Sequence, residues 1–198
     1  MEGRVTMQVD SMLPEGYTYE TTEEGFSLTV PLTCPVGEAR SLAVTAALWV
    51  RDAVGGTARI HWPNHVIADG KRVCAVRCAA LSAGGLRFDF HPSPEVGLPA
   101  DFAAAVCRNA AEAMAGYPEN RPQLLQRYCE FCDTVMKFVD TSYRGMPIYG
   151  FAFAVDRHGG LMVMTQESRT VLTIYGGEAV IADKRDQQPP DLPPTPRL

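Results

Sequence analysis

The pattern of apolar and polar residues near the start of the chain predicts two strands and then a helix. Residues 26–32 begin with a strict alternation of apolar and polar side chains, which is typical of a strand with one buried face. Residues 17–22 are rich in Thr and Tyr, and the Glu-Glu-Gly turn between the two segments predicts a hairpin. In residues 39–54 the apolar side chains recur every three or four positions instead, which predicts a helix that ends at Gly55 and Gly56.

The stretch from residue 60 to residue 81 predicts a short strand, a Trp-Pro-Asn turn at 62–64 and a hairpin. Proline has no backbone donor and should interrupt strand pairing at the first turn. The Asp-Gly pair at 69–70 separates two apolar runs and is a strong hairpin signal, because glycine readily adopts a positive φ. The side chains gathered at one end of this sheet are Trp62, Asn64, Lys71 and Arg72. A binding site and a buried tryptophan that anchors a corner are both compatible with this pattern.

The pattern changes twice in the second half of the chain. Residues 86–91 predict one more strand, and residues 101–114 and 122–133 predict two helices, the first with Asp101 as its N-cap. From Thr134 onward the chain returns to short β-branched segments separated by turns. The predicted strands are residues 135–139, 148–155, 161–165, 170–175 and 179–181. Five short strands at this spacing favour a small SH3-like β-barrel.

Composition and charge narrow the class of protein. The chain has 198 residues, of which 46% are hydrophobic and 21% charged, as expected for a globular domain with a small appendage. A formal net charge of −5 and the lack of a Lys/Arg cluster argue against a nucleic-acid partner. No apolar run approaches the roughly 18 residues of a membrane span, and the first residues lack a signal-peptide pattern. We therefore expect no membrane association and a cytoplasmic location.

The six cysteines are expected to be reduced thiols in that compartment. Cys129 and Cys132 have the spacing of a metal or redox pair, but no second pair completes a zinc set. Both fall in a predicted helix, where residues three apart share a face. Packing is therefore favoured over a metal or redox role, and no metal site is predicted.

The two ends of the chain carry little pattern. Residues 1–15 contain only short apolar pieces and are expected to be flexible or loosely docked. Residues 184–198 are rich in proline among polar residues and are expected to be disordered. A merely solvated tail is favoured over a ligand for an SH3 or WW partner.

Two groups of residues carry a resemblance to a known family. Trp62-Pro63-Asn64-His65, followed by a Gly-Lys-Arg-Val-Cys-Ala-Val run at 70–76, resembles the W-P-N-D…G-[RK]-K-[VL]-A-G-I stretch of biotin–protein ligases. Later, residues 149–156 and 159–163 resemble the family's G-x-A-x-G-I-D…G-x-L-L-V, and residues 176–178 its G-G-E. The resemblance implies an α+β fold. Residues 1–133 would form a class II synthetase-like biotin/lipoate ligase core, a mixed β-sheet backed by helices, and residues 134–183 would form the SH3-like barrel.

The resemblance also assigns site residues, with three departures from the family pattern. Arg72 stands where the family has the lysine that lies against the adenylated acyl group, and it is the candidate catalytic residue. His65 replaces an aspartate, and Ala75 replaces a glycine that lets the backbone approach the ligand. The candidate residues for binding ATP and biotin or lipoate are Trp62, Asn64, His65, Lys71 and Ala75.

Other ligand-holding features of the family are not found in the sequence. No segment resembles the Arg/Gly-rich loop that folds over the adenylate, and about 25 residues before the strand at 26–32 are too few for its supporting elements. Residues 86–91 do not match the family's G-x-G-x-N segment. These departures favour a pseudo-ligase that has lost autonomous biotinylation and acts as a binding or partner subunit. ATP and biotin or lipoate are expected as ligands if the family activity is retained.

Two other interpretations stay open at the level of sequence. The first is that the chain is an active ATP-dependent biotin/lipoate–protein ligase. The second is that it is a half-enzyme whose Arg/Gly loop is supplied by another polypeptide. The partners to consider are a biotin carboxyl carrier protein, a companion ligase and a second copy of the chain in a homodimer.

Overall fold

The computed structural model describes residues 9, 11–82, 84–176 and 179–182. The Pro-rich segment 184–198, most of the first ten residues and part of the Gly-Gly-Glu motif lie outside the described residues. Within the described part, eleven strands form two sheets, and the helices are concentrated in the first two thirds of the chain.

The first sheet has six strands in the order β1-β2-β6-β5-β4-β3. The strands are β1 (Thr18–Thr22), β2 (Gly25–Val30), β3 (Arg59–His61), β4 (His65–Ala68), β5 (Lys71–Ala80) and β6 (Leu86–Pro92). Every pair of neighbours is antiparallel. The predicted mixed character of this sheet is limited, among the described residues, to an isolated parallel bridge between Ile60 and Cys132.

Turn chemistry places the sheet where the sequence predicts it. Asp69 and Gly70 connect β4 to β5 with φ values of 50° and 74°, the left-handed pair that a two-residue hairpin requires. β2 ends at Val30, two residues earlier than expected, because Pro31 has no N–H to donate to a neighbouring strand. The predicted β1–β2 and β4–β5 hairpins are therefore both confirmed.

The helix predicted over residues 39–54 is interrupted. A 3-10 turn (Glu38–Ser41) leads into a short helix α1 (Leu42–Thr45), and α2 (Ala47–Val54) follows after Ala46. The Thr45 hydroxyl donates to the Ser41 carbonyl at 3.1 Å, and the Trp49 amide bonds the Ala46 carbonyl three residues back. Such a hydroxyl bond to the preceding turn bends a helix. The spacing of apolar residues cannot predict this interruption, because the bend comes from a side-chain hydrogen bond.

Two further helices complete the layer behind the first sheet. They are α3 (Phe102–Ala115) and α4 (Arg121–Phe131), each within two residues of its predicted bounds. Asp101 precedes α3 as predicted but makes no side-chain cap bond. α4 ends at Phe131 because Cys132 is extended and the Asp133 amide bonds the Ile60 carbonyl at 2.8 Å, which ties the chain to β3.

The second sheet has five antiparallel strands in the order β10-β9-β8-β7-β11. They are β7 (Lys137–Tyr143), β8 (Met146–Val155), β9 (Leu161–Thr165), β10 (Val171–Ile174) and β11 (Val180–Ile181). The five predicted strands are all present, but among the described residues no pairing joins β10 to β11 and the barrel is not closed.

The core is continuous across the two sheets. Side chains from the first sheet and its helices belong to one cluster with β7, β8 and β9 residues such as Val139, Val155 and Val163. Aromatic rings form its centre, with Phe26 stacked on Phe90 at 4.7 Å and Trp49 edge-on to Phe88 at 4.8 Å between ring centroids. The second sheet is therefore packed against the first unit through buried apolar side chains.

Candidate functional site

A cavity of about 840 Å³ lies where the first sheet, the helix α1 and the loops of the second sheet meet. The size falls in the range of small-molecule sites. The residues that line it are Arg40, Ala43, Val44, Trp62, Pro63, Asn64, His65, Arg77, Cys78, His158, Gly159, Tyr175 and Gly176. The turn at 62–64 thus faces a site built jointly by both sheets.

Trp62 forms part of the wall and is almost completely buried, with 1% of its surface exposed. Its indole Nε1 donates to the Gly159 carbonyl at 3.2 Å, and its backbone amide donates to Thr134 Oγ1 at 3.0 Å. Both partners belong to the region of the second sheet. Trp62 therefore fastens the two sheets together.

Asn64 is also engaged inside the protein. Its side-chain Nδ2 donates to the Val76 carbonyl, and the Val76 amide donates back to the Asn64 carbonyl at 3.1 Å. The Tyr128 hydroxyl donates to the Pro63 carbonyl at 2.8 Å from the helix side of the turn. The turn is held between β5 and α4, and the Asn64 amide satisfies backbone groups of the fold.

The structure separates the predicted site residues into two groups. Trp62, Asn64 and His65 lie at the cavity. Lys71 and Arg72 are exposed at the start of β5 and do not line it, and Ala75, half-buried on β5, does not line it either. Their predicted role toward ATP or biotin stays a prediction.

Four polar residues of the cavity were not singled out by sequence. Arg77 lies on β5 just after the run at 70–76 that resembles the family pattern, so the resemblance gave no signal for it. His158 lies in the Gly-containing turn before β9, within a segment that resembles the family pattern. Arg40 and Tyr175 carry no local signal, because each reaches the cavity through the packing of its element.

The loop beside the cavity is organised by Asp156. Its Oδ1 accepts the backbone amides of His158 and Gly160 at 2.9 and 2.8 Å, and its Oδ2 accepts the Tyr175 hydroxyl. The hydrogen bond to this carboxylate raises the pKa of Tyr175, with burial adding to the shift. The Tyr175 side chain is therefore a neutral hydroxyl that positions the loop.

The thiol at the cavity is not a nucleophile at neutral pH. Burial, with a smaller contribution from the nearby Asp89 carboxylate, raises the pKa of Cys78 from 9.0 to about 12. Burial also raises the pKa of Cys74 to about 12 and that of Cys129 to about 11. Reactive cysteines need a lowered pKa, so these thiols are structural.

Metal chemistry finds no support in the described ranges. The described residues contain no group of three or more His, Cys, Asp or Glu side chains that could hold a metal ion. Cys129 and Cys132 are both free thiols, half-buried and buried respectively, and their packing role stays a prediction.

Comparison with solved structures shows the fold. The apo structure of biotin protein ligase from Aquifex aeolicus matches with a TM-score of 0.60 and 16% sequence identity, over 85% of this chain and 83% of that one. The same ligase in complex with biotin and ATP gives a TM-score of 0.59 at 16% identity, over 85% and 79% of the two chains. A biotin protein ligase-like protein of unknown function from Silicibacter sp. TM1040 gives 0.63 at 13% identity, over 87% and 88%. The chain therefore has a biotin protein ligase-like α+β fold.

Comparisons of sequence add no closer relative. No protein-family model and no curated protein matches the chain. Among the helices of the described residues, none is both long and apolar enough to cross a membrane.

Proposed function

We propose that the chain is a divergent pseudo-ligase. It has the fold of biotin protein ligases, does not carry out ATP-dependent acyl transfer on its own, and acts as a binding or partner subunit. The observation that supports this proposal is that the predicted site residues do not all lie at one cavity. The two cations that the resemblance assigns to the adenylate, Lys71 and Arg72, lie outside the cavity, and the Asn64 amide is occupied by the Val76 carbonyl.

The residues present do not fit ATP as the family resemblance would place it. Phosphoryl chemistry depends on cations positioned at the phosphates. Arg72 differs from lysine in shape and is exposed at the start of β5. With no thiolate at the cavity, the described residues also offer no charged sulfur nucleophile there. We therefore assign no catalytic step to ATP.

The proposal extends to domain organisation and partners. We assign residues 1–133 to a ligase-like unit and residues 134–183 to a small SH3-like unit, an assignment that the five antiparallel strands support. A biotin carboxyl carrier protein or a companion ligase is the proposed partner in a cytoplasmic complex, and a homodimer is the alternative assembly.

A label-transfer assay tests the loss of activity. The purified chain is incubated with ATP, magnesium, labelled biotin or lipoate and a carrier domain, beside the Aquifex aeolicus ligase as the active control. We expect no transfer by this chain. Transfer at a rate on the order of 1 per second, within the usual range of enzymes, contradicts the pseudo-ligase proposal. Transfer that begins only when a companion ligase is added supports the half-enzyme instead.

A further inference from the structure

The second sheet has apolar side chains on the face that is turned away from the first sheet. Phe138, Phe151 and Met164 are cross-strand partners in β7, β8 and β9, so their side chains share one face. Their neighbours Val139 and Ala152 point the other way and belong to the main core. The outward side chains form a separate apolar cluster, in which Phe151 and Met164 are buried and Phe138 is half-buried.

A stacked aromatic pair connects this cluster to a groove of about 310 Å³. The rings of Phe138 and Tyr149, the aromatic pair, are nearly parallel at 16°, with centroids 5.8 Å apart, and both side chains are half-buried. Tyr149 also lines the groove, and Pro147, Ile148 and Leu172 add apolar walls to it. Surfaces lined in this way by aromatic side chains bind proline-rich segments.

The chain carries a proline-rich segment with a regular period, residues 189–198, which we call the proline segment. Within it, Pro190, Pro193 and Pro196 recur at intervals of three. A polyproline II helix has three residues per turn, so these prolines would form one ridge along such a helix. A ridge of proline rings is the feature that an aromatic-lined groove recognises.

The last described strand brings the start of this segment to the same surface. β11 runs antiparallel to β7, and the Ala182 amide donates to the Phe138 carbonyl at 2.8 Å. Six residues, 183–188, separate Ala182 from Pro189. A chain of that length spans at most about 24 Å, so the proline segment can reach the ring of Tyr149. A short connection also gives an attached segment an effective concentration on the order of 1 mM, which favours the same chain over a second copy.

The charge at the groove is complementary to one end of the ridge. Glu167 is the only charged residue that lines the groove among the described residues, and its side chain is exposed. The ion pairs formed within the described ranges do not include it. Arg197 follows directly after Pro196, whereas Asp191 lies at the opposite end of the ridge. Contact between Arg197 and Glu167 would therefore fix the direction of the segment.

We propose that the proline segment docks on the outward face of the second sheet of its own chain. The prolines of the ridge pack against the aromatic pair and the groove, and Arg197 lies beside Glu167. The tail is then an intramolecular ligand and not the solvated segment that the sequence alone favours. A proline-rich partner has to displace it to reach this surface. The inference goes beyond the proposed pseudo-ligase function and does not depend on it.

Nuclear magnetic resonance of the full chain tests the docking. The triple variant Pro190→Ala, Pro193→Ala and Pro196→Ala removes the ridge, and we expect the backbone signals of the aromatic pair and the groove to shift. Pro189→Ala combined with Pro194→Ala is the matched control, because it removes two prolines that lie off the ridge, and it should leave those signals in place. Unchanged signals in the triple variant, or equal shifts in the triple variant and the control, overturn the proposal.

A peptide of residues 187–198 distinguishes docking within one chain from docking between chains. It should bind the full-length triple variant, and it should bind the wild-type chain about tenfold more weakly, because the attached segment competes for the surface. Equal affinity for the two proteins overturns docking within the chain. In a mixture of isotope-labelled and unlabelled chains, contacts from the prolines to Tyr149 should stay within one chain. Contacts only between labelled and unlabelled chains would assign the surface to a second copy and overturn the proposal.

Glu167→Gln tests the direction of the segment. Introduced into the triple variant, it should weaken binding of the peptide by about two- to fivefold, the range expected for one exposed charge pair. Glu95→Gln is the matched control, since it removes an exposed carboxylate in the loop between β6 and α3. Equal peptide binding by the two variants overturns the placement of Arg197 beside Glu167.

Discussion

At the scale of single residues, the motif that resembles biotin protein ligases is used here to hold the fold. The Asn64 amide donates to the Val76 carbonyl, and the indole of Trp62 donates to the Gly159 carbonyl. Each bond joins the turn at 62–64 to another strand or loop. The cations of the same motif, Lys71 and Arg72, have exposed positions instead. Within this motif, Trp62 and Asn64 therefore stabilise the fold, whereas Lys71 and Arg72 are exposed to solvent.

Replacement of Asn64 tests this structural use. In Asn64→Ala the Val76 carbonyl loses its side-chain donor, and we expect the free energy of unfolding to fall by roughly 1–3 kcal/mol in urea titrations. Arg72→Gln is the control, because an exposed side chain away from such bonds changes stability by no more than about 0.5 kcal/mol. A stable Asn64→Ala variant that loses ATP or adenylate binding contradicts the structural role.

At the scale of elements, the loop between β8 and β9 is shaped by its contact with α1. Gly159 has a φ of +89°, and a Cβ at this position would lie 2.8 Å from Val44 Cγ2. The Gly159 carbonyl also accepts the Trp62 indole. Only glycine satisfies the positive φ and the close approach together. The loop therefore sets the spacing between the second sheet and the helix that borders the cavity.

Substitution at this glycine should loosen the junction. We expect Gly159→Ala to lower the free energy of unfolding by about 1–3 kcal/mol, the usual cost of a strained backbone conformation, with the Val44 contact adding to it. Gly37→Ala is the matched control, since Gly37 has a φ of −61° and nothing within 4 Å of the added carbon. Equal urea midpoints for the two variants would show that the loop does not depend on this contact.

At the scale of the whole molecule, one buried cluster spans both sheets. Residues of β7, β8 and β9 share it with the helices and with the first sheet, and His61 adds a polar link through the Ala179 carbonyl at 2.7 Å. A core shared in this way favours cooperative unfolding of the two sheets. The division at residue 133 stays a prediction, and the buried cluster includes side chains from both sides of it.

Urea unfolding should accordingly occur in one transition. We expect the curve from tryptophan fluorescence, which reports Trp49 and Trp62, to coincide with the curve from far-ultraviolet circular dichroism, which reports both sheets. Trp62→Phe removes the indole donor to the Gly159 carbonyl and should lower both midpoints together. Two separated transitions would show that the second sheet is an independent domain.

Local patterns determined most of the secondary structure. Strict alternation in β2, the Asp-Gly turn before β5 and the returning β-branched segments after Thr134 all predict the elements that the structure contains. Each of these signals comes from the φ, ψ and side-chain preferences of a few neighbouring residues. The resemblance through the Trp-Pro-Asn turn also identified the fold that the comparison with solved ligases shows.

Tertiary packing decided the break in the first helix, the open second sheet and the composition of the cavity. The Thr45 hydroxyl bends the helix through a bond that apolar periodicity does not register. Arg40, Arg77 and His158 are far apart in sequence and share a cavity only because the loop before β9 packs against α1 and the turn at 62–64. The sequence alone determined which segments become strands and helices, because those preferences are local. Which charged and polar side chains meet at the cavity depends on contacts between segments far apart in the chain. No local sequence pattern specifies those contacts.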